Sequence, residues 1–241
     1  MDLEQISELL RPFLAAEAGP VTLAPGQLGA ISTYIDLLMR WNARISLTAV
    51  RQPHAIITRH FGESLFLAAR LLPADFAQPN SAPLHALDFG SGAGFPGLPL
   101  KIYAPRLQIT LVESNHKKAA FLNEVIRTLG LSGARVVSER IDARLMQKAD
   151  SSLPVAILPA DLVTMRAVEN FASALNAAAE VIRRSSAGSG AGKLALLIGL
   201  SQAGGVQRSL PDFLWNSPLP VPQSRERVLL VGQYPGSVAP K

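Results

Sequence analysis

Leu84-His-Ala-Leu-Asp-Phe-Gly-Ser-Gly-Ala-Gly-Phe-Pro-Gly97 is the stretch from which the rest of the chain is read. An apolar run ends in a carboxylate, and four glycines then fall within eight positions. The pattern predicts a buried strand (Leu84 to Phe89), a tight loop (Gly90 to Gly94) and the start of a helix. Glycine admits positive φ and lets a ligand approach bare backbone. Pro96 and Pro99 suit a first helical turn, where no amide partner is lost. Such a unit holds a nucleotide-like ligand at the carboxyl end of a parallel sheet.

The G-x-G-x-x-G spacing fits from Gly92 through Gly94 to Gly97 and, with a shifted last glycine, from Gly90, so the pattern alone selects no ligand. Asp88, two positions before Gly90, narrows the choice. A carboxylate there repels a pyrophosphate and tolerates a ligand that carries an ammonium and a sulfonium. S-adenosylmethionine is therefore expected ahead of a dinucleotide, with Asp88, Gly90, Gly92 and Gly94 around it. The alternative is a glycine-rich turn capped by the Asp.

At 241 residues and 48% hydrophobic composition the chain supports one α/β domain with an extension. It has no apolar run of about 18 residues, and Met1-Asp-Leu-Glu lacks a basic start, so neither a membrane span nor a signal peptide is expected. The expected setting is the cytosol, as a monomer. The absence of cysteine excludes disulfides, thiolate metal sites and a cysteine nucleophile. His54, His60, His85 and His116 show no metal-ligand spacing, and no metal is expected. A net charge of +5 with only 17% charged residues points to arginines placed for a polyanionic partner, or to a basic protein with no nucleic-acid role.

Upstream, Ile6, Leu9, Leu10, Phe13 and Leu14 recur at helical spacing, Gly19-Pro20 interrupts, and Leu28, Ile31, Ile35, Leu38 and Met39 form a second stripe. Leu65 to Leu72 continues a helix that Pro73 stops, so residues 1–72 read as an N-terminal helical cap. From Leu37 to Gly62 there are four arginines (Arg40, Arg44, Arg51, Arg59), two histidines and no carboxylate. With Trp41 among them, this run suits phosphates and a stacked base, or else a solvated face with Trp41 in the core. Ala74 to Pro83 is a connection, and the main domain takes residues 84–241.

Beyond the glycine loop a helix is expected over Gly97 to Tyr103 and a second strand over Leu107 to Val112. Glu113 follows, about 20 positions past the loop, where an acidic side chain accepts from ribose hydroxyls. Asn115 to Leu129 reads as a helix ended by Gly130, with His116, Lys117 and Lys118 in its first turn. Cations there oppose the macrodipole by roughly some tenths of a kcal/mol, so these lysines read as anion contacts. Strand three, Ala134 to Ser138, leads to Asp142, which either accepts from an adenine amine or caps a helix over Ala143 to Lys148. Strand four is Asp161 to Met165, with Arg166 just past its end. Val168 to Ile182 is the next helix, Arg183 to Gly192 a Ser/Gly loop, and Leu194 to Ile198 strand five. Trp215 and Val228 to Val231 supply a closing hairpin. This βαβ alternation predicts a Rossmann-like, seven-stranded, mostly parallel sheet with one antiparallel strand among its last two.

Together these pieces resemble the RsmG (GidB) family of class I S-adenosylmethionine-dependent methyltransferases, which methylate N7 of one guanine in small-subunit (16S) ribosomal RNA. The resemblance runs over nearly the whole chain. It rests on Ser46-Leu-Thr-Ala49, Arg59-His-Phe-Gly-Glu-Ser-Leu65, Asp88 to Leu100, Leu111-Val-Glu-Ser-Asn-His-Lys-Lys118 and Arg166-Ala-Val168. It implies cofactor contacts at Gly90, Phe95, Glu113, Ile141, Asp142 and Arg166, and the small ribosomal subunit as partner. Arg40, Arg44, Arg59, His60, Lys117 and Lys118 are then the expected RNA contacts. The chain departs from the family pattern at Ser46 (usually Asn), Glu63 (usually Asp) and Ile198-Gly199 (usually Lys-Gly).

Two other readings stay open: an NAD-dependent oxidoreductase, which Glu113 would also serve although this chain has no recognisable Tyr-x-x-x-Lys, and a non-enzymatic RNA-binding module. Guanine N7 has no proton to lose, so methylation there needs alignment and no general base. Arg166 is the expected catalytic residue. It either donates to guanine O6, holds the cofactor's carboxylate or forms a structural ion pair.

Overall fold

The structure, a computed structural model, describes residues 2–16, 19–72, 84–140, 160–168, 170–189 and 192–235. Asp2 opens helix α1 (Leu3–Leu10) by accepting from Gln5 N at 2.8 Å. A two-strand ribbon, β1 (Ala15–Ala16) with β2 (Gly19–Pro20), leads to α2 (Pro25–Asn42), whose apolar stripe is buried at Leu28, Ile31, Tyr34, Ile35, Leu37 and Leu38. α3 (Pro53–Ile56), a π-helical stretch (Ile57–Gly62) and α4 (Glu63–Leu71) follow without a break.

The main domain alternates β3 (His85–Phe89), α5 (Gly97–Tyr103), β4 (Gln108–Val112), α6 (His116–Leu129), β5 (Ala134–Val137), β6 (Leu162–Arg166), α7 (Phe171–Ser189) and β7 (Lys193–Gly199). It closes with α8 (Leu200–Ser209), β8 (Leu214–Trp215), β9 (Leu219–Pro220) and β10 (Arg227–Gln233). Sheet order is β5-β4-β3-β6-β7-β10-β8. The five strands from β3 to β7 are parallel, and β10 runs antiparallel to β7. The seven-stranded plan with one antiparallel long strand is thus present, and two-residue β9 adds an eighth member on β10.

Period-two alternation sorts each strand between two cores. Leu87, Phe89, Val163 and Met165 pack toward α7 and α8, while Ala86, Leu111 and Leu162 pack toward α5, α6 and the cap. The cap shares that second core. Tyr34 is fully buried, stacks on Phe95 at 5.4 Å between ring centres and meets Phe61 edge-on at 5.2 Å. Its hydroxyl donates to the Ala93 carbonyl. Gln27 Nε2 donates to the carbonyls of Ile102 and Tyr103, at the end of α5, at 2.8 and 3.0 Å.

One expectation is corrected, and one helix appears that the sequence does not announce. The Ser/Gly segment after Ile182 is helical to Ser189: it continues a helix anchored by buried Ala177, Ala178, Ala179, Val181 and Ile182, and extending a formed helix adds a hydrogen bond per residue against the weak propensity of serine and glycine. α8 was not expected, since Gly204-Gly205 and a sparse apolar pattern hide it; only Ala203 and Val206 are buried. The connection over Ala74 to Pro83 and the helix over Ala143 to Lys148 lie outside the described residues.

Candidate functional site

The glycine loop leaves the carboxyl end of β3, and Asp88 decides its shape. Asp88 lies opposite Thr164 of β6 in register, and its Oδ1 accepts from the Thr164 hydroxyl at 2.7 Å. Its Oδ2 accepts from Gly97 N, the start of α5, at 3.2 Å. The residue is fully buried, and burial raises its pKa to about 6 against the opposing pull of the Thr164 hydrogen bond. Asp88 therefore fastens the loop from beneath and does not line the cavity, which corrects its expected place beside a ligand's ammonium.

The glycines divide in the same way. Gly90, Gly92 and Gly94 have φ of +66°, +58° and +90°. A Cβ on Gly94 would lie 2.2 Å from the Tyr34 hydroxyl and 2.7 Å from Leu98, so this glycine serves cap packing and lies off the cavity wall. A Cβ on Gly92 would meet nothing nearer than the Gly90 carbonyl at 3.8 Å. Bare backbone at Gly92 thus faces open space.

That space is a cavity of about 1270 Å³ across the carboxyl ends of β3, β4 and β6. Glu113, 6% exposed, stands on its wall, where Oε2 accepts from Gly92 N and Oε1 from Asn115 N, both at 2.8 Å. Each oxygen keeps a lone pair for a ligand hydroxyl. Phe95 completes this wall and is held by Tyr34, Phe61 and His60.

The facing wall is made from the cap and the end of β6. The π-helical stretch turns Arg59 and His60 to the cavity, a use of π geometry common at functional sites. Arg166, the last residue of β6, extends its guanidinium into this stretch. Its Nη2 donates to the Arg59 carbonyl at 2.7 Å and to His60 Nδ1 at 3.0 Å, and it pairs with Glu63 at 3.1 Å. Both side chains of that pair are buried, 7% and 5% exposed. Burial lowers the Arg166 pKa, and Glu63 acts in the opposite direction. Arg166 Nε is buried without a hydrogen-bond partner among the described residues. His60 is held near pKa 3 by burial and by Arg166, and is neutral.

Among the expected site residues, the cavity brings together Gly90, Gly92, Phe95, Glu113, Arg166, Arg59, His60 and Lys118. Arg40, Arg44 and Lys117 are exposed outside it, and Ile141 and Asp142 lie outside the described residues. Trp41 packs half-buried against the core: its ring lies 5.6 Å from Phe121, and Nε1 donates to Glu124 at 3.1 Å. Thr48, Glu63 and Arg227 were given no role from sequence. Arg227 faces Gly199 across the β10–β7 pair, which a lone arginine before an apolar strand does not announce.

The model of the family described as GidB, rRNA small subunit methyltransferase G, matches residues 27–192. A curated relative from Chloroflexus aggregans, "Ribosomal RNA small subunit methyltransferase G", is 46% identical over 122 residues, 51% of this chain and 48% of that one. The protein of the same name from Stenotrophomonas maltophilia (strain K279a) is 42% identical over 138 residues, covering 57% and 58%. The chain thus spans about half the length of the curated relatives it matches. A solved structure of a mutant of MtNAS in complex with S-adenosylmethionine superposes with a TM-score of 0.50 at 14% identity, over 87% of this chain and 76% of that one, a likeness of fold. The family match covers well over half the sequence and includes both the glycine loop and Arg166, so this chain belongs to the rRNA small subunit methyltransferase G (GidB) family.

Proposed function

We propose that this protein transfers a methyl group from S-adenosylmethionine to N7 of a guanine in 16S ribosomal RNA, acting in the cytosol on the small ribosomal subunit. The observation that carries the reading is Glu113 hydrogen-bonded to the bare backbone of Gly92 at the cavity wall. A nucleoside fits this pair: its hydroxyls take the free lone pairs of Glu113, and its body lies where a side chain at position 92 would otherwise stand. When bound, S-adenosylmethionine supplies an electrophilic methyl group.

The residues of the chain then have to orient the base and exclude water. Arg166 Nε is buried without a hydrogen-bond partner among the described residues, while Nη2 is already committed to Arg59, His60 and Glu63, so the guanidinium holds the cap against the end of β6. His60 is no general base, since a pKa near 3 makes it a very weak one and the lone pair on Nδ1 already accepts from Arg166. N7 presents a lone pair and no proton, so the reaction requires none. Exposed Arg40, Arg44 and Lys117, with Arg59 and Lys118 at the cavity, would draw phosphates. Small subunits from a strain lacking the enzyme, incubated with methyl-labelled cofactor, should incorporate label into RNA; unlabelled RNA would refute the proposal.

A further inference from the structure

Asn42, at the end of α2, clamps the loop that follows it. Its Oδ1 accepts from Leu47 N at 2.9 Å and Thr48 N at 3.0 Å, and its Nδ2 donates to the Thr48 carbonyl at 3.0 Å. Thr48 is thereby fixed on the cavity wall with its hydroxyl 2.8 Å from His60 Nε2. The direction of every bond in this group follows from chemistry. A guanidinium only donates, so His60 Nδ1 must accept from Arg166, and the single ring proton of neutral His60 sits on Nε2. Nε2 therefore donates to Thr48 Oγ1. Val50 N donates to the same oxygen at 3.1 Å. Both lone pairs of the hydroxyl are now filled, and its own O–H has no acceptor among the described residues.

We infer that Thr48 is a specificity residue: a hydroxyl locked as a pure donor, which hydrogen-bonds O6 of the target guanine. This rests on the guanine-N7 reading above. On its major-groove edge guanine presents N7 and O6, both acceptors, whereas adenine presents N7 beside an N6–H₂ donor. A donor on O6 leaves the N7 lone pair free to attack. Opposite adenine the same O–H meets another donor, and its oxygen has no lone pair left to accept. The ion pair of Glu63 and Arg166 fixes the polarity of His60, and His60 fixes that of Thr48, so the buried charges serve base choice from a distance.

The test uses small subunits reconstituted with 16S RNA that carries guanine, 2-aminopurine or adenine at the mapped target, with label transfer as readout. 2-Aminopurine keeps N7 and lacks O6. Replacing guanine by 2-aminopurine should cost the wild-type enzyme about tenfold or more beyond what it costs Thr48→Val, since a site built to hydrogen-bond a group discriminates strongly against its absence. Any change in N7 reactivity affects both enzymes and cancels. Thr48→Ser should recover most of the loss, and calorimetric affinity for S-adenosylhomocysteine should match in all three proteins. Equal costs in wild type and Thr48→Val would overturn the inference. Should Thr48→Val fail to fold, wild type alone decides: adenine must be a poorer substrate than 2-aminopurine, and the reverse order overturns the inference. Absence of transfer to guanine by wild type would instead remove the guanine-N7 reading, and this inference with it.

Discussion

The two walls of the cavity are built in opposite ways. On one side the glycine loop is made of consecutive residues, Asp88 to Gly97, and mostly presents backbone. On the other, Thr48, His60, Glu63 and Arg166 meet as side chains, with Arg166 106 positions from His60. A backbone wall depends on the absence of side chains at a few positions. A side-chain wall depends on every charged partner being present, because each is buried and none has water to fall back on.

The largest effect should come from breaking the second wall. Arg166→Met leaves Glu63 as a buried, unpaired carboxylate and removes a donor to His60, for a loss of about 3–5 kcal/mol in denaturant unfolding. The double variant Glu63→Leu with Arg166→Met should be more stable than that single, because no charge is left stranded. Behind the first wall, where the loop packs on the cap, Gly94→Ala should cost about 2–3 kcal/mol, since its methyl collides with Tyr34 and Leu98 at φ +90°. Gly92→Ala sharpens the contrast. It pays only about 1 kcal/mol of backbone strain. Calorimetry should nonetheless show about a tenfold or larger loss of S-adenosylhomocysteine affinity, because one methyl group stands in ligand space.

Asp88, beneath the loop, gives the support of the first wall a pH signature. Its folded pKa of about 6 lies above the ordinary 3.8, so its contribution to stability is full below about pH 4 and lost as pH rises through 6. Asp88→Asn cannot titrate. The melting temperature of wild type relative to this variant should therefore fall as pH is raised from about 4 to 7. A gap independent of pH would show that Asp88 keeps an ordinary pKa. The smallest expected effect is Trp41→Phe, about 0.5–1 kcal/mol for the hydrogen bond to Glu124, with methyl transfer retained.

How far each wall was legible follows from this construction. The loop, both flanking elements and Glu113 could be read because local spacing carries them. The place of Asp88 was missed although the signal was present: alternation sends Leu87 and Phe89 to one core, so Asp88 points with Ala86 to the other, beneath the loop. The second wall was visible only as single residues. Arg166 and His60 stood out by type, but nothing local joins them to each other or to Thr48, and a π-helical turn has no sequence period that would set their direction. α7 outran its expected end because a helix already formed and packed extends at little cost, which the local propensity of serine and glycine does not reveal.

The atom that is modified tests most directly the proposed placement of guanine N7 against the methyl group. RNA from small subunits treated with enzyme and S-adenosylmethionine would be reduced with borohydride and treated with aniline, which cuts the chain where guanine N7 is methylated. Scission at one guanine, dependent on enzyme, is the predicted result. Incorporated label without any enzyme-dependent scission would place the methyl group on another atom and contradict the account.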